Sequence, residues 1–148
     1  MDGSKQESFD ALKLENQLCF PLYACARVVM NTYTPFLKPL GLSYTQYISL
    51  LVLWETDGLS VKELGKRLYL DSGTLTPVLK SLEQKGLVSR CRCREDERVL
   101  RICLTEAGLA LRERALSVPE QLGSRLALKA QEAGTLHRLL WHFLELHA

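Results

Sequence analysis

The chain has 148 residues, of which 47% are hydrophobic and 24% charged, a composition typical of folded globular proteins and unlike that of disordered chains. We find neither an uninterrupted apolar run of membrane-spanning length nor the basic-then-apolar pattern of a secretory signal in the polar residues 1–8. We therefore expect a cytoplasmic protein without a membrane segment. In that compartment the five cysteines should be free thiols.

The net charge is only +2, but the positive charge is concentrated in the middle of the chain. Between Ser60 and Arg101 there are ten Lys and Arg residues against six Asp and Glu residues. A local excess of basic residues is typical of surfaces that contact nucleic acid. This middle third is therefore the candidate nucleic-acid surface.

Two helices are predicted before this basic region. Apolar residues at spacings of three and four predict an amphipathic helix over about Leu14 to Tyr33, with a kink or a late start at Pro21. Prolines and a glycine in residues 34–41 break the chain, and Ser43 is a plausible N-cap for a second helix that runs to about Trp54.

The basic region itself begins with two short helices. Ser60 and Glu63 have the spacing of a capping box, and a turn at residues 70–73 leads into a helix from about Ser72 to Lys85. Gly86 is suited to end that second helix. Two short helices joined by a tight turn form a helix-turn-helix.

After Gly86 the apolar period changes from 3.6 to 2, which predicts strands over Leu87–Arg94 and Arg98–Thr105 joined by a charged tip. Residues from Glu106 onward are again helical in pattern, with breaks near Pro119 and Gly134. The predicted fold class is therefore mainly α with a small β-hairpin wing, a winged helix-turn-helix with additional N- and C-terminal helices.

The terminal helices have apolar stripes that one small chain cannot cover alone, so we expect a homodimer. We interpret residues 1–148 as one winged helix-turn-helix domain. Within it, residues 14–56 and 106–148 serve mainly in dimerisation, and residues 60–105 form the DNA-binding module.

Short polar side chains near the start of the second helix of the helix-turn-helix are suited to reach base edges in the major groove, whereas the alternative is an ordinary solvated helix face. Arginines on the wing favour DNA, because they suit phosphate and minor-groove contacts. A two-fold dimer would read a pseudo-palindromic operator in double-stranded DNA. The candidate DNA-binding residues are Ser72, Thr74, Thr76, Lys80, Ser81, Arg90, Arg92, Arg94, Asp96 and Arg98.

The string from Asp96 to Gly108 has the spacing D-x-R-x5-L-T-x-x-G and resembles that of MarR-type regulators. The resemblance implies that Asp96 orients Arg98, which enters the minor groove. Three segments are similar more narrowly to the organic hydroperoxide sensors called OhrR: LENQLCFPLY at residues 14–23, LDSGTLTPVLK at 70–80 and DER at 96–98. That resemblance implies a repressor that releases its operator on oxidation.

The same resemblance assigns the redox-sensing role to Cys19, whose thiolate is stabilised by the hydroxyls of Tyr33 and Tyr44 from the partner subunit. Tyr23, one turn after Cys19, is a third candidate. The alternatives are a core thiol and ordinary packing tyrosines. No cysteine follows Cys103, so the one-cysteine variant is the closer match, in which a small thiol captures the oxidised sulfur as a mixed disulfide.

Other classes of function are less well supported. Cys91 and Cys93, with Cys103 nearby, suggest zinc, but no histidine lies close in sequence, so we expect no metal and no cofactor. Nor does the sequence contain a recognisable catalytic motif. Two alternatives stay open: a thiol peroxidase that uses Cys19, and a MarR-type regulator gated by a small phenolic ligand.

Overall fold

The computed structural model describes residues 9–92 and 99–147, which are mostly helical. The helices are α1 (Cys19–Leu37), α2 (Tyr44–Glu55), α3 (Val61–Leu68), α4 (Ser72–Gln84), α5 (Glu106–Ala115), α6 (Val118–Leu126) and α7 (Ala130–Leu146). Short 3-10 turns cover Leu14–Asn16 and Lys38–Leu40. None of the described helices is both long and apolar enough to span a membrane.

One small antiparallel sheet accompanies these helices, with strands β1 (Leu59–Ser60), β2 (Val88–Arg92) and β3 (Leu100–Leu104) in the order β1-β3-β2. The mainly helical fold with a β-hairpin wing is therefore confirmed. The sequence did not predict β1, because two residues are too short to show an alternating pattern. It pairs Leu59 with Ile102 and so ties the start of α3 to the wing.

Side-chain caps fix where the helices before the wing begin. The Ser43 hydroxyl accepts a hydrogen bond from the Gln46 backbone N–H, and the Gln46 side chain accepts one from the Ser43 N–H. The same reciprocal pair joins Ser60 and Glu63. These capping boxes satisfy N–H groups that have no partner within the helix, so both predicted starts are confirmed.

The first long helix differs from its prediction at the C-terminal end. It begins at Cys19, in agreement with the late start predicted at Pro21, and the side chains of Asn16 and Gln17 bind the backbone carbonyls of residues 10 and 11 and close a separate turn before it. Pro21 therefore lies in the first turn, where its missing N–H is tolerated, and it is not inside a longer helix. At the other end the helix continues through Pro35 to the buried Leu37.

The C-terminal helices divide at only one of the two predicted points. The break near Pro119 is confirmed, since α5 ends at Ala115 and Pro119 lies in the first turn of α6. The break at Gly134 is wrong, because Gly134 is inside α7. The chain instead turns at Ala127, whose φ of 54° is left-handed.

The core lies between α2, the helix-turn-helix and the sheet. On α4 the three leucines predicted to face inward, at positions 75, 79 and 82, are all buried, as is Leu64 on α3. Leu50 of α2 and Ile102 of β3 complete this contact. The helix-turn-helix is therefore held firmly against α2 while its outer face stays open.

The last helix, α7, and the start of α1 have little packed against them within one chain. In α7 none of the described residues is buried, and four apolar side chains on it, at positions 136, 139, 140 and 143, are 39–51% exposed. The 3-10 turn before α1 and the first turn of α1 also expose apolar side chains, and Leu18 between them is 73% exposed. Apolar faces this large are typical of an association surface.

Candidate redox site and nucleic-acid interface

Cys19 is the first residue of α1, and its side chain is exposed. The backbone N–H groups at the start of a helix have no acceptor within it, and the helix dipole there favours negative charge. The first turn, residues 19–22, contains no acidic residue that would oppose an anion. The position therefore leaves the Cys19 sulfur open to a small oxidant.

Cys25 is the other free cysteine among the described residues, and it is exposed as well. It lies in the second turn of the same helix, where the backbone N–H groups are already bonded within the helix. The two thiols thus differ in their position relative to the helix end and not in exposure. This makes Cys25 a matched reference for Cys19.

Tyr23 lies one turn after Cys19 and is 60% exposed. Its hydroxyl accepts a hydrogen bond of 3.3 Å from the Arg27 guanidinium, which also lies 5.7 Å from the centre of the tyrosine ring. The hydroxyl retains its own proton for donation. Residues four apart share a helix face, so Tyr23 is placed beside Cys19, with Arg27 one further turn along.

Tyr33 packs against two tyrosines of α2. Its ring centre is 4.9 Å from that of Tyr44 and 5.7 Å from that of Tyr47. Burial, with a smaller contribution from the two neighbouring phenols, raises the pKa of Tyr33 to about 12. Burial also raises the pKa of Tyr44 and of Tyr47 above the usual 10.0. All three phenols are therefore protonated hydrogen-bond donors at neutral pH.

The structure of one chain does not bring Cys19 together with Tyr33 and Tyr44. Cys19 and Tyr33 are fourteen positions apart on α1, a rise of about 21 Å at 1.5 Å per residue. Sequence reasoning also missed Tyr47, although the spacing of three between Tyr44 and Tyr47 places both on one side of α2. Contact between this cluster and a Cys19 thiolate therefore requires a second chain.

The second helix of the helix-turn-helix, α4, begins at an Asp71 cap. The Asp71 carboxylate accepts hydrogen bonds from the Thr74 backbone N–H at 2.8 Å and from the Thr74 hydroxyl at 3.0 Å. These bonds, the backbone one first, lower the pKa of Asp71. The Thr76 hydroxyl donates to the Ser72 carbonyl. The predicted DNA-binding residues that lie on the exposed face of α4 are Ser72, Thr74, Thr76 and Lys80.

Ser81 was also predicted on that face, but its side chain contacts α2, and its role in DNA binding stays a prediction. Ser81 is half-buried, and its hydroxyl accepts a hydrogen bond of 2.9 Å from the Gln46 side chain. Thr74, seven residues earlier and so on nearly the same side of α4, is exposed, so the bond to Gln46 and not the helical spacing distinguishes Ser81. Gln46 is 7% exposed and also accepts a hydrogen bond of 2.8 Å from Lys85, which follows α4.

The wing carries two of the predicted arginines within the described residues. Arg90 and Arg92 are both exposed and share one face of β2, since they pair with Ile102 and Leu100. The Arg90 guanidinium lies 3.4 Å from the carboxylate of Glu83 on α4. Three further candidates, Arg94, Asp96 and Arg98, lie outside the described residues, so their roles stay predictions.

The wing also contains a feature that corrects the expected chemistry of the cysteines. Cys91 and Cys103 are joined by a disulfide, whereas all five cysteines were expected as free thiols. The physical reason is the strand register, which puts the two residues on neighbouring strands and one face. Among the described residues no group of three or more His, Cys, Asp and Glu side chains is arranged to hold a metal ion.

Comparison with known proteins places this architecture in a family. Residues 31–114 match the family described as "Transcriptional regulator SarA/Rot". The chain is 50% identical over 134 residues to the "Organic hydroperoxide resistance transcriptional regulator" of Bacillus subtilis (strain 168), a match that covers 90% of this chain and 89% of that protein.

Solved structures agree with this assignment. A structure of reduced AbfR bound to DNA is 38% identical, with a TM-score of 0.73 over 98% of this chain and 99% of that one. Apo MarR from E. coli is 28% identical, with a TM-score of 0.72 over 86% of this chain and 97% of that one. The chain therefore belongs to the MarR-type winged helix-turn-helix transcriptional regulators, as a homologue of the organic hydroperoxide resistance regulators.

Proposed function

We propose that this chain is a DNA-binding repressor, active as a homodimer in the cytoplasm, that releases a pseudo-palindromic operator when an organic hydroperoxide oxidises Cys19. The observation that carries the proposal is the position of Cys19, exposed at the start of α1 where the helix favours an anion. The 50% sequence identity to the organic hydroperoxide resistance regulator supports an organic hydroperoxide as the oxidant.

The dimer follows from the faces that one chain leaves uncovered. The apolar side chains of α7 and of the segment around Leu18 are exposed within one chain, and a second copy offers a matching face by symmetry. We assign residues 14–56 and 106–148 mainly to this interface and residues 60–105 to DNA binding. The two α4 helices of a dimer would then meet half-sites about one helical turn of DNA apart.

At the redox site the Cys19 thiolate attacks the terminal oxygen of the hydroperoxide. The O–O bond breaks, the alcohol leaves with a proton, and the sulfur becomes a sulfenic acid. A small cellular thiol then condenses with the sulfenic acid, which releases water and leaves a mixed disulfide on Cys19. The protonated phenols of Tyr33 and Tyr44, from the partner subunit, stabilise the thiolate before the reaction.

Oxidation of Cys19 affects operator binding through the cluster of Tyr33, Tyr44 and Tyr47. An oxygen atom or a thiol added to Cys19 removes the negative charge of the thiolate that the phenols bind. It also enlarges the Cys19 side chain at the proposed contact between subunits. Tyr44 is the first residue of α2, and α2 packs against α4 through the bond between Gln46 and Ser81. A shift of α2 therefore changes the relative placement of the two α4 helices in the dimer.

The test is fluorescence anisotropy of a labelled operator, with one equivalent of an organic hydroperoxide and a small thiol added to the dimer. Cys19→Ser should bind the operator like the parent and stay bound, because serine offers no thiolate. Cys25→Ser, the matched control at an equally exposed position, should release the operator as the parent does. Release by Cys19→Ser at one equivalent would remove Cys19 from the mechanism.

A second candidate function is gating by a phenolic or other aromatic anion. It is favoured by an open cleft of about 480 Å³ whose apolar lining includes Leu40 and Leu87 and whose cations are Lys85 and Arg114. Both cations already bind backbone carbonyls, of Gly41 and Pro39 respectively, so a ligand would have to displace those bonds. Release of operator by such a ligand from Cys19→Ser would favour this alternative.

We further propose that Cys19 reacts stoichiometrically and not as a peroxidase. A sensor consumes about one hydroperoxide per thiol, whereas an enzyme turns over in the presence of a reducing thiol. An assay of hydroperoxide consumption with excess small thiol separates the two. Sustained turnover that disappears in Cys19→Ser would show an enzyme.

A further inference from the structure

Cys91 and Cys103 face each other diagonally across the wing. In the antiparallel register of β2 and β3, Ser89 is opposite Cys103 and Cys91 is opposite Arg101, so both cysteines project from the same face of the hairpin. Their Cα atoms are 6.4 Å apart, within the range that a disulfide spans, and the structure joins them. The strand register therefore places the two sulfur atoms within bonding distance.

This face of the hairpin is accessible. Successive residues of a strand point to opposite faces, and the cysteines lie on the face opposite to the buried Ile102. Both cysteines are half-buried, and Ser89 beside them is exposed. A small oxidant can therefore reach the pair from solvent, although less readily than it reaches the exposed Cys19.

We propose that Cys91 and Cys103 form a second redox site, oxidised to a disulfide by organic hydroperoxide and reduced again by small thiols, that fixes the wing and weakens operator binding. This inference rests on the proposed function for its oxidant and its DNA readout. It differs from that function because it uses Cys91 and Cys103 instead of Cys19. Its product is a disulfide within one chain, and that disulfide lies inside the DNA-binding module.

The chemistry balances with the hydroperoxide as the sole oxidant. One thiolate of the pair attacks the hydroperoxide, the O–O bond breaks, and a sulfenic acid and an alcohol form. The second thiol attacks the sulfenic sulfur, the S–S bond forms, and water leaves. Two electrons pass from the two sulfurs to one hydroperoxide. Two equivalents of a small thiol return the pair to its reduced form through a mixed disulfide.

The position of the bond links it to DNA. Cys91 is near the end of β2, just before residues 93–98, which contain the predicted minor-groove residue Arg98. Diagonal neighbours in a sheet are ordinarily about 7–8 Å apart, and the disulfide holds the Cα atoms of the two cysteines 6.4 Å apart, so it keeps the two strands close together. The exposed Arg90 and Arg92 lie on the other face of the same strand and are fixed with it. A fixed wing adjusts less to the groove.

The experiment uses the full-length Cys19→Ser dimer, so that Cys19 cannot respond. After reduction and exposure to excess organic hydroperoxide, intact mass should show the loss of two hydrogens per chain, and peptide mapping should place the bond between Cys91 and Cys103. Operator affinity should fall by roughly threefold or more and recover with a small thiol. At one equivalent of hydroperoxide with a small thiol present the affinity should not change, because the small thiol returns the pair to its reduced form.

Matched variants identify the residues. Adding Cys91→Ser or Cys103→Ser to this background should abolish both the mass loss and the change in affinity, whereas adding Cys93→Ser should abolish neither. A disulfide that involves Cys93 or Cys25 instead, or a Cys91–Cys103 bond that leaves the affinity unchanged, overturns the proposal. If the reduced protein did not bind operator at all, the proposed function would fail, and the mass measurement would still decide whether this pair is oxidised.

Discussion

Cys19 and Tyr33 lie on the same helix, about 21 Å apart along its axis, so the thiol and its predicted hydrogen-bond donor cannot meet within one chain. If Tyr33 stabilises the Cys19 thiolate, it does so in the partner subunit. Sensing then depends on the dimer itself, and each redox site is built from two chains.

Mixed dimers test this arrangement directly. A dimer of one Cys19→Ser chain and one Tyr33→Phe chain retains a single Cys19 thiol, on the Tyr33→Phe chain, that faces the intact Tyr33 of the other chain. Its rate of reaction with hydroperoxide should equal the rate per site of the parent. Loss of a reactive thiol, followed by a thiol-specific label in stopped flow, gives the rate.

The matched control for that experiment places both substitutions on one chain and pairs it with a parental chain. The remaining Cys19 thiol then faces the chain that carries Tyr33→Phe and should react roughly tenfold more slowly, since one hydrogen bond to a charged group contributes about 1.5 kcal/mol. A slow reaction in the first mixed dimer and a normal one in the second would mean that the contact is made within one chain.

The raised pKa of Tyr33, about 12 instead of 10.0, predicts how stability depends on pH. The folded chain disfavours the phenolate, so the contribution of this group is fully present below pH 10 and is lost as the pH rises through 12. The free energy of unfolding should therefore fall more steeply over this window in the parent than in Tyr33→Phe. Urea unfolding followed by circular dichroism at each pH measures the slopes, and equal slopes in the two proteins would contradict the raised pKa of Tyr33.

Gly108 is predicted to tolerate no side chain. A Cβ atom there would lie 2.1 Å from the Leu87 carbonyl oxygen, so either α5 or the start of the wing must move. Gly108→Ala should lower the free energy of unfolding by about 1–3 kcal/mol or more. Gly123→Ala in α6 is the matched control, because nothing lies near its Cβ position, and it should raise stability by about 0.5–1 kcal/mol. Equal effects in thermal unfolding would contradict the close approach.

The wing arginine predicted from sequence gives a test on the DNA side. Arg98→Ala should weaken operator binding by about 1–3 kcal/mol and reduce the dependence of affinity on salt, since one cation leaves the groove. Asp96→Ala should act in the same direction with a smaller effect. Lys129→Ala, at the start of α7, is the control and should leave affinity and salt slope unchanged. An unaltered salt slope in Arg98→Ala would exclude this residue from the interface.

Much of the fold could be predicted from the sequence because its signals are local. The caps at Ser43 and Ser60, and the change of apolar period after Gly86, each depend on residues within a few positions of one another. The string L-T-x-x-G is equally local. Thr105 caps α5 by accepting from the Gly108 N–H and donates to the Gly86 carbonyl, so the motif holds α5 against the turn before the wing.

Two of the errors depend on contacts distant in sequence. The direction of Ser81 is set by Gln46, and the Cys91–Cys103 pairing is set by strand register. Composition alone could not reveal either. The proposed redox site depends most on such contacts, since Cys19 and Tyr33 are about 21 Å apart along one helix and would meet only through a second chain.

Gln46 connects the helix that carries Tyr44 to the helix predicted to contact DNA. It lies two positions after Tyr44 in α2, and its buried amide donates to Ser81 on α4 and accepts from Lys85 and from the Ser43 backbone. Hydrogen bonds of Gln46 thus join α2, which carries Tyr44, to α4, the helix predicted to contact DNA. If a change at Tyr44 moves α2, as proposed for oxidation, these contacts would carry any other displacement of α2 to α4 as well. A contact of this kind would let the stimulus that moves α2 differ among related regulators while the response at DNA stays the same.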